Sequence, residues 1–340
     1  MEKKGHSISV INRDSKIINT LLDFYNINHK IRNSRPSKSG SMFSIVYLIG
    51  MIYHICKYSY KERPDLYLGF GSFPCTIAGF LFSKPVIHLD DTEHNKVNHF
   101  LNKPFKPITL TPYYFTKNLG KNQIYFNAFI EQLYLHSNYY KVNNSVLVEL
   151  GIESENYALV RYISYNASHD LFVQPLSNSN KMQLIDHLSS KMKVLVSFED
   201  ENQDDFYKSF KINISPEKMH DLIANARIFI TEGATMASEA GVLGIPYIYI
   251  NPLQDLGYIT EQIRKYPEIA SRSKNIEEIK CILNDKFNAL NSTFHRRDDF
   301  KYSFEKSTID PTKFLVWFVE NYPDSFKIMK ENPDYQYNFK

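Results

Sequence analysis

Cysteine is scarce in this chain of 340 residues, and the three that it has, Cys56, Cys75 and Cys281, lie far apart. No C-x-x-C pair is present. This spacing argues against a disulfide framework and against a structural zinc site. The sequence therefore predicts a protein that uses neither a bound metal nor a cofactor and that works in a reducing, cytoplasmic setting.

Long hydrophobic runs are also lacking. The first ten residues, MEKKGHSISV, carry charge but no apolar stretch, so they lack the features of a secretory signal. The longest apolar run, Met42 to Cys56, is shorter than a bilayer span and indicates a core helix. An alternative stays open. With Lys57 and Lys61 beside it, the helix over 42–56 could make a peripheral contact with the inner face of a membrane if the substrate were lipid-linked.

Signatures of several common functions are missing. The net charge of +3, from 40 basic and 37 acidic residues without a basic block, argues against a nucleic-acid partner. The Gly69-Phe70-Gly71 turn lacks the third glycine of a dinucleotide-binding motif. No G-x-S-x-G motif is present, which argues against a hydrolase with that nucleophile turn.

What the chain does have is a regular alternation of short apolar strands and helical segments. This alternation is typical of parallel, doubly wound α/β sheets, and 340 residues are enough for two such domains. The polar, Asn-rich stretch after Leu135 predicts a linker. We predict an N-terminal Rossmann-like domain over residues 1–135, a linker over 136–150, a C-terminal Rossmann-like domain over 151–305 and a helical tail over 306–340.

The first residues raise a separate expectation. Glu2 to His6 resemble the last turn of a helix with its glycine stop, directly before a strand. Doubly wound domains normally begin with a strand and a helix before this point. We therefore expect the first βα unit of the N-terminal domain to be missing, through a misplaced gene start or a truncated form.

The most informative stretch is Ala226 to Asn251, with the sequence ARIFITEGATMASEAGVLGIPYIYIN. Arg227 to Thr231 and Tyr247 to Ile250 are apolar enough to be buried parallel strands. The segment between them predicts a helix that ends at Gly244, which suits a left-handed cap, before Pro246, which cannot continue a helix. The pattern is one strand–helix–strand unit.

The turn before this helix is a candidate phosphate site. Gly233, Ala234 and Thr235 open the helix, where free backbone N–H groups and the positive end of the helix dipole commonly hold a phosphate. Glu239 follows on the same helix and could reach a sugar hydroxyl of the same ligand. The alternative is an ordinary capped helix, which any α/β protein needs.

A cluster of ionisable residues, His88-Leu89-Asp90-Asp91-Thr92-Glu93-His94, follows another predicted strand. Open α/β sheets bind ligands at this end of their strands. Asp90, Asp91, Glu93 and His94 could supply a general acid or base, because crowding of like charges raises the pKa of one carboxyl group. The spacing matches no standard metal site. Helix capping by Asp91 or Thr92 is the alternative.

A second loop of polar residues ends the first strand of the C-terminal domain. Arg161 could balance phosphate charge, and Asn166, Ser168 and His169 could bind phosphate or sugar hydroxyls. Alternatively, the loop satisfies its own polar groups through local Asx and Ser turns. We interpret His220 as an ordinary surface or packing histidine.

Three of these segments, ITEGATMASEAGVLGIPYIYIN, RYISYNASHD and HLDDTEH, together resemble a family of uncharacterised predicted glycosyltransferases, a domain of unknown function within the GT-B superfamily. The likeness runs from about Lys3 to about Tyr266. More distantly, the chain is similar to the transferase that adds N-acetylglucosamine in peptidoglycan synthesis and to the non-hydrolysing UDP-N-acetylglucosamine 2-epimerase. The resemblance implies two facing Rossmann-like domains with a nucleotide-sugar in the cleft, held mainly by the C-terminal domain.

The resemblance also implies roles for particular residues. In those relatives the glycine turn before the helix receives the diphosphate, which implies this role for Gly233, Ala234 and Thr235. The acid of a Ser-Glu pair holds the ribose there, which corresponds to Ser238 and Glu239. A catalytic acid of the epimerases lies in a His-x-Glu-Ala-Gly segment, and this chain has His88-Leu89-Asp90-Asp91-Thr92 instead. The epimerases' catalytic His-Arg loop is likewise replaced by residues 164–170, and both departures argue against epimerisation.

The leading hypothesis is a cytoplasmic glycosyltransferase that uses a nucleoside-diphosphate sugar, UDP-linked by resemblance, in cell-surface polysaccharide synthesis. The acceptor would be a glycan or a lipid-linked molecule. Asp90, Asp91, Glu93 or His169 would take the acceptor proton. Two alternatives stay open: an epimerase that acts on the sugar of UDP-N-acetylglucosamine, and a non-catalytic nucleotide-sugar-binding protein.

Overall fold

The computed structural model describes residues 1–32, 41–152, 156–163, 176–199, 205–251, 256–293 and 297–340. The chain forms two compact units. Unit 1 consists of Met1–Asn127 and Lys313–Asn338, and unit 2 consists of Ala128–Thr312 and Phe339–Lys340. Each unit has its own parallel sheet.

These boundaries differ from the predicted ones of 1–135, 136–150, 151–305 and 306–340. Residues 128–150 belong to unit 2 because they pack within it. The rings of Phe129 and Phe304 lie 5.6 Å apart, and Tyr140 Oη donates a hydrogen bond to Asp221 Oδ1 at 2.7 Å. The segment predicted as a linker is therefore packed structure, and most of the predicted tail, Lys313–Asn338, belongs to unit 1.

Unit 1 begins with alternating strands and helices, as the sequence predicts. Their bounds are β1 (Val10–Arg13), α1 (Lys16–Phe24), β2 (His29–Arg32), α2 (Ser41–Glu62), β3 (Tyr67–Phe70), α3 (Phe73–Leu81), β4 (Val86–Leu89), α4 (Lys96–Asn102), β5 (Ile108–Pro112) and β6 (Gln123–Phe126). Strands β3, β4, β5 and β6 form a parallel sheet in that order, and β1 pairs with β2 in a separate parallel ladder. Every residue of β4 and β5 is buried, as parallel strands covered on both faces require.

The longest apolar run of the sequence lies in α2. Ile55 is buried with Tyr67 and Ala78 in the core of unit 1, whereas Ile49 and Tyr53 are exposed. The predicted helix is confirmed, but only one side of it is buried. Within the described part of the chain, no helix is both long enough and apolar enough to cross a bilayer.

Among its described residues, unit 2 has a sheet of five parallel strands. Its elements are α5 (Gln132–Leu135), α6 (Ser145–Glu149), β7 (Tyr157–Tyr162), α7 (Asn178–Ser189), β8 (Lys193–Phe198), α8 (Met219–Ala224), β9 (Ile228–Thr231), α9 (Ala234–Val242), β10 (Tyr247–Tyr249), α10 (Gly257–Lys265), β11 (Ala270–Arg272), α11 (Ile276–Thr293) and α12 (Arg297–Ser307). The strand order is β11-β10-β9-β7-β8. Because the chain passes from β8 over β7 to β9, the strand order reverses between β7 and β9. Doubly wound sheets bind ligands outside the carboxyl ends of their strands at such a switch point.

The predicted strand–helix–strand unit is confirmed as β9, α9 and β10. Both strands are fully buried. Gly244 follows α9 with a φ of +76°, so the helix ends at the left-handed position that the sequence predicts. The amino-terminal end of α9 consequently lies at the switch point, beside the end of β7.

The C-terminal segment adds α13 (Pro311–Glu320) and α14 (Asp324–Glu331). The two helices are separated near Pro323, where a helix cannot continue without loss of a hydrogen bond. Phe314 stacks on Phe126 with ring centroids 6.0 Å apart, and Asn127 N donates to Gln336 Oε1 at 2.6 Å. These contacts join the segment to the last strand of the unit 1 sheet.

Candidate functional site

The end of β9 is held by hydrogen bonds within its own turn and to β7, the neighbouring strand across the switch point of unit 2. Thr231 and Glu232 are fully buried, and Gly233 precedes α9. Gly233 N donates to Thr231 Oγ1 at 3.0 Å, and Glu232 N donates to Arg161 O on β7 at 3.2 Å. The turn is therefore held rigidly in front of the helix.

The start of α9 presents backbone N–H groups that the helix itself does not use. The first intrahelical bond runs from Ala237 N to Gly233 O at 3.1 Å, and no side chain caps the helix. The N–H groups of Ala234, Thr235 and Met236 consequently have no acceptor within the helix. Ala234 is half-buried and Thr235 is exposed. Together with the positive end of the helix dipole, these groups favour an anion.

Glu239 lies one and a half turns into α9 and is 7% exposed. Tyr134 Oη donates to Glu239 Oε1 at 2.9 Å, and His220 Nε2 lies 3.1 Å from the same oxygen. Among the residues that the structure describes, no contact is recorded for Oε2. One carboxylate oxygen is thus fixed by the protein, and the other can accept a hydrogen bond from a ligand hydroxyl.

His220, on α8, was interpreted from the sequence as an ordinary surface or packing histidine, and in the structure its Nε2 lies next to Glu239. Burial opposes protonation of the ring, but the hydrogen bond that the ring donates to Glu239 and the charges of Glu239 and Asp221 outweigh it, so the pKa of His220 is raised above 6.5. Its ring also lies 5.7 Å from that of Tyr134. The sequence contains no signal for this contact because α8 and α9 meet only in the fold.

Arg161, on β7, is the cation of the predicted polar loop that the structure describes. Its Nη1 donates to Ser197 Oγ on β8 at 2.7 Å. Burial lowers the pKa of the guanidinium, and the charges of Glu199 and Glu239 partly restore it. An arginine remains protonated under such conditions, so Arg161 supplies positive charge at the carboxyl edge of the sheet.

A second buried pair, which the sequence did not predict, lies directly beneath the turn. Glu232 Oε1 is 3.0 Å from Lys181 Nζ on α7, and the ammonium group lies 4.2 Å from the centroid of the Tyr162 ring. Glu232 Oε2 accepts a hydrogen bond from Ile163 N at 3.2 Å. The pair links α7 to the ends of β7 and β9. It also neutralises a carboxylate that would otherwise repel an anion at Gly233.

The structure places Ser238 away from the surface, and its role in nucleotide binding stays a prediction. The residue is fully buried, and Gln262 Nε2 on α10 donates to its Oγ at 2.9 Å and to its carbonyl oxygen at 3.2 Å. Ser238 therefore packs α9 against α10. The neighbouring Glu239 points to a different side of α9 because successive helical residues lie about 100° apart.

In unit 1, Asp90 follows β4, and both of its carboxylate oxygens have partners in the protein. Thr92 N donates to Asp90 Oδ1 at 2.9 Å, and His99 Nε2 on α4 lies 2.9 Å from Oδ2. Gly71 lies so close that a Cβ atom there would be 3.3 Å from Oδ2. Asp90 is 3% exposed, and the sequence did not identify His99 as its partner.

Asp91 differs from its neighbours in the cluster. It is half-buried, and Thr92 Oγ1 donates a 3.0 Å hydrogen bond to its Oδ1. Burial, with smaller contributions from the charges of Asp90 and Glu93, raises the pKa of the carboxyl group to about 6. Asp91 can therefore exchange a proton near neutral pH, as a general acid or base must.

The remaining members of the cluster have other surroundings. Glu93 is 5% exposed and accepts a hydrogen bond from Thr116 N at 3.2 Å. His94 is exposed. His88 is fully buried next to Thr76 Oγ1 at 2.7 Å, and burial lowers the pKa of the ring to about 4, so His88 is neutral.

Three predicted residues, Asn166, Ser168 and His169, lie outside the described residues. In the part of the chain that the structure does describe, no group of three or more His, Cys, Asp or Glu side chains is arranged to hold a metal ion. Gly233, Ala234, Thr235, Glu239 and Arg161 lie in unit 2, and Asp90, Asp91, Glu93 and His94 lie in unit 1.

Residues 1–322 match the family described as a protein of unknown function, DUF354. The chain belongs to this family. Sequence similarity extends to an uncharacterized protein of Methanocaldococcus jannaschii, 26% identical over 300 residues, which are 83% of each chain. The resemblance to an uncharacterised family is thereby confirmed.

Solved structures with a similar fold include an epimerase and a glycosyltransferase. The UDP-GlcNAc 2-epimerase from Neisseria meningitidis bound to UDP-GlcNAc is similar with a TM-score of 0.63, 13% identity and 93% coverage of each chain. The glycosyltransferase VinC in complex with dTDP is similar with a TM-score of 0.57 and 10% identity, over 94% of this chain and 93% of that one. The two units of this DUF354 protein are therefore Rossmann-like domains with a GT-B-like fold. This confirms the predicted fold class.

Proposed function

We propose that this DUF354 protein is a glycosyltransferase that takes its sugar from a nucleoside-diphosphate donor, in particular a UDP-sugar. The observation that carries this proposal is the arrangement at the switch point of unit 2. Uncapped N–H groups of Ala234 and Thr235 lie at the start of α9, and Glu239 on the same helix keeps one carboxylate oxygen for a ligand. A nucleoside diphosphate carries an anionic diphosphate close to its ribose hydroxyls. The diphosphate suits the N–H groups at the start of α9, and a ribose hydroxyl suits Glu239.

The chemistry follows from these groups. An oxygen of the acceptor hydroxyl attacks the anomeric carbon of the donor, the bond from that carbon to the diphosphate oxygen breaks, and the electron pair leaves with the diphosphate. Negative charge grows on the leaving group, and the N–H groups at Ala234 and Thr235 with the α9 dipole stabilise it. The acceptor proton passes to a general base.

Asp91 is the residue that we propose as this base. Asp90 and Glu93 each accept hydrogen bonds from groups of the protein and are nearly inaccessible, whereas Asp91 is only half-buried. Its pKa of about 6 leaves it mostly ionised at neutral pH and able to take a proton. Asp90, whose Oδ2 lies 2.9 Å from His99 Nε2, is one of the groups that raise the pKa of Asp91.

We further propose that the protein acts in the cytoplasm in cell-surface polysaccharide synthesis, with a glycan or a lipid-linked acceptor. The exposed apolar side chains of Ile45, Ile49 and Tyr53 on α2 support a peripheral contact with a membrane that carries such an acceptor. Binding to vesicles with and without anionic lipid, compared with an Ile49→Ser variant, measures this contact directly.

Calorimetric titration tests the donor site. UDP and UDP-sugars should bind the wild-type protein, and Glu239→Ala should weaken binding at least tenfold, because a hydrogen bond to a charged group contributes about 1.5–3 kcal/mol. Glu261→Ala is a matched control on the neighbouring helix α10, where Glu261 pairs with Lys265 at 3.2 Å. Absence of nucleotide binding to the wild-type protein, or unchanged binding in Glu239→Ala, would refute the proposal.

An epimerase is the second candidate, and the ionisable cluster at Asp90 and Asp91 favours it, since epimerisation needs an acid and a base acting on the sugar. Incubation with UDP-N-acetylglucosamine in deuterated water separates the two functions. Deuterium at C2 without any acceptor supports the epimerase, whereas sugar transfer without deuterium at C2 supports the transferase. Binding without either reaction supports the non-catalytic alternative.

A further inference from the structure

We propose that His220 is a positioning residue that couples binding of a nucleoside diphosphate in unit 2 to the uptake of a proton. This inference rests on the proposed function, because it concerns the same site. It goes beyond that function by assigning a role to a residue outside the glycine turn and by predicting how affinity depends on pH.

The geometry around Glu239 is the basis of the inference. His220 Nε2 lies 3.1 Å from Glu239 Oε1, and Tyr134 Oη donates to the same oxygen at 2.9 Å. Two donors on one oxygen fix the carboxylate plane. Oε2, which has no recorded contact among the described residues, is then held in one direction for a ligand.

The ring of His220 is itself fixed by aromatic neighbours. Its centroid lies 5.7 Å from that of Tyr134 and 6.3 Å from that of Tyr140. Tyr140 Oη donates to Asp221 Oδ1 at 2.7 Å, so this ring is also anchored. His220 is 28% exposed through its side chain, which leaves it able to exchange protons with solvent.

Charged groups face His220 from each element around it. The anions are Glu239 on α9 and Asp221, which lies on α8 next to His220. Tyr134 and Tyr140 contribute hydroxyl groups. Lys218, just before α8, is paired with Glu149 on α6. Lys301 on α12 lies 5.7 Å from the Tyr140 ring centroid, and Arg161 interacts with Glu239 from β7. The anions closest to the ring favour the imidazolium form.

The sign of the coupling follows from these charges. A diphosphate brings additional negative charge toward a site in which protonated His220 balances Glu239. Binding should therefore raise the pKa of His220 further, and a proton should be taken up when nucleotide binds. By linkage, affinity is highest where His220 is protonated and decreases as the pH rises through the pKa of the ring.

Calorimetry with UDP-N-acetylglucosamine tests this coupling, because the diphosphate diester of this probe keeps a constant charge in the relevant range. Titrations of the full chain from about pH 6 to about pH 9 should show a Kd that rises by a factor on the order of three to ten. Repeating them in two buffers with different ionisation enthalpies should show uptake of a fraction of a proton per nucleotide bound.

His220→Gln provides the decisive comparison, since its amide can still donate to Glu239 Oε1 but cannot be protonated. The variant should bind with a Kd that changes less than about twofold over the same pH range and without proton uptake. His187→Gln on α7 is the matched control and should retain the wild-type pH dependence. If His220 only packs, the Kd of His220→Gln will depend on pH as it does in the wild-type protein.

The outcomes separate this inference from the proposed function. Failure of the wild-type protein to bind the probe at any pH contradicts the proposed function. Binding whose pH dependence persists in His220→Gln contradicts the role of His220 alone. Loss of the pH dependence in His220→Gln, with its retention in His187→Gln, supports the inference.

Discussion

Glu232 lies fully buried at the end of β9, 3.0 Å from Lys181 of α7. The sequence predicted the turn at Gly233 and the acid at Glu239, because a strand, a glycine and a helix in succession form a local pattern. It did not predict that Glu232 is fully buried with Lys181, or that His220 contacts Glu239. Lys181 and His220 come from other helices, and no periodicity in a single sequence indicates which helices meet.

Asp91 carries the residue-scale prediction about catalysis. Because burial raises the pKa of its carboxyl group to about 6, a base at this position is active only when the pH is above that value. We expect kcat/KM for transfer to rise as the pH increases through about 6. Asp91→Asn should lower kcat by at least about a hundredfold, because general base catalysis typically contributes about 10²–10⁴.

Glu2→Gln, a change at an exposed residue of the same unit, is the control for Asp91→Asn. Its activity and pH profile should match those of the wild-type protein. A wild-type profile that is flat around pH 6, or an Asp91→Asn variant with full activity, would show that another group takes the proton.

Helix α9 is the element on which the candidate donor site depends, and both of its ends were predicted. Gly244 ends it and the turn at Gly233 begins it, since capping is encoded locally. The contact of Ser238 with Gln262 was not predicted, because it depends on how α10 packs. The resemblance identified the Ser-Glu pair as a unit, whereas the fold separates the two side chains.

Gly241→Ala tests the packing of α9 at the scale of the element. A Cβ atom at Gly241 would lie 2.0 Å from Gln262 Oε1, and Gln262 is 2% exposed. The change should displace Gln262 from Ser238 and lower the free energy of unfolding by about 1–3 kcal/mol in a urea titration. Gly50→Ala on α2, where nothing lies within 4 Å, should instead raise stability by about 0.5–1 kcal/mol. Equal effects of the two substitutions would contradict the packing described for α9 and α10.

At the scale of the whole molecule, the alternation of strands and helices was sufficient to predict two parallel, doubly wound domains. The order of strands and the path of the C-terminal segment were not predictable in the same way. Phe314, Trp317 and Phe318 form an apolar pattern in the sequence. The pattern does not indicate which of the two units these side chains pack into. In the structure Phe314 stacks on Phe126 of β6, so the segment completes unit 1.

Phe314→Ala tests this assignment. Phe314 is 1% exposed, and removal of a buried phenyl ring typically costs about 3–5 kcal/mol of stability. Hydrogen exchange should accelerate for the amides of β5 and β6 while those of β7 and β9 keep their protection. Phe100→Ala, at a side chain that is 76% exposed, should change stability by less than about 0.5 kcal/mol. Faster exchange confined to unit 2 would contradict the assignment.

The central claim is that the start of α9 and Glu239 together bind a nucleoside diphosphate. A crystal structure of the protein with UDP tests it most directly. The account predicts diphosphate oxygens about 2.7–3.2 Å from the N–H groups of Ala234 and Thr235, with a ribose hydroxyl donating to Glu239 Oε2. UDP bound at another place, with the α9 turn and Glu239 in contact only with solvent, would contradict it.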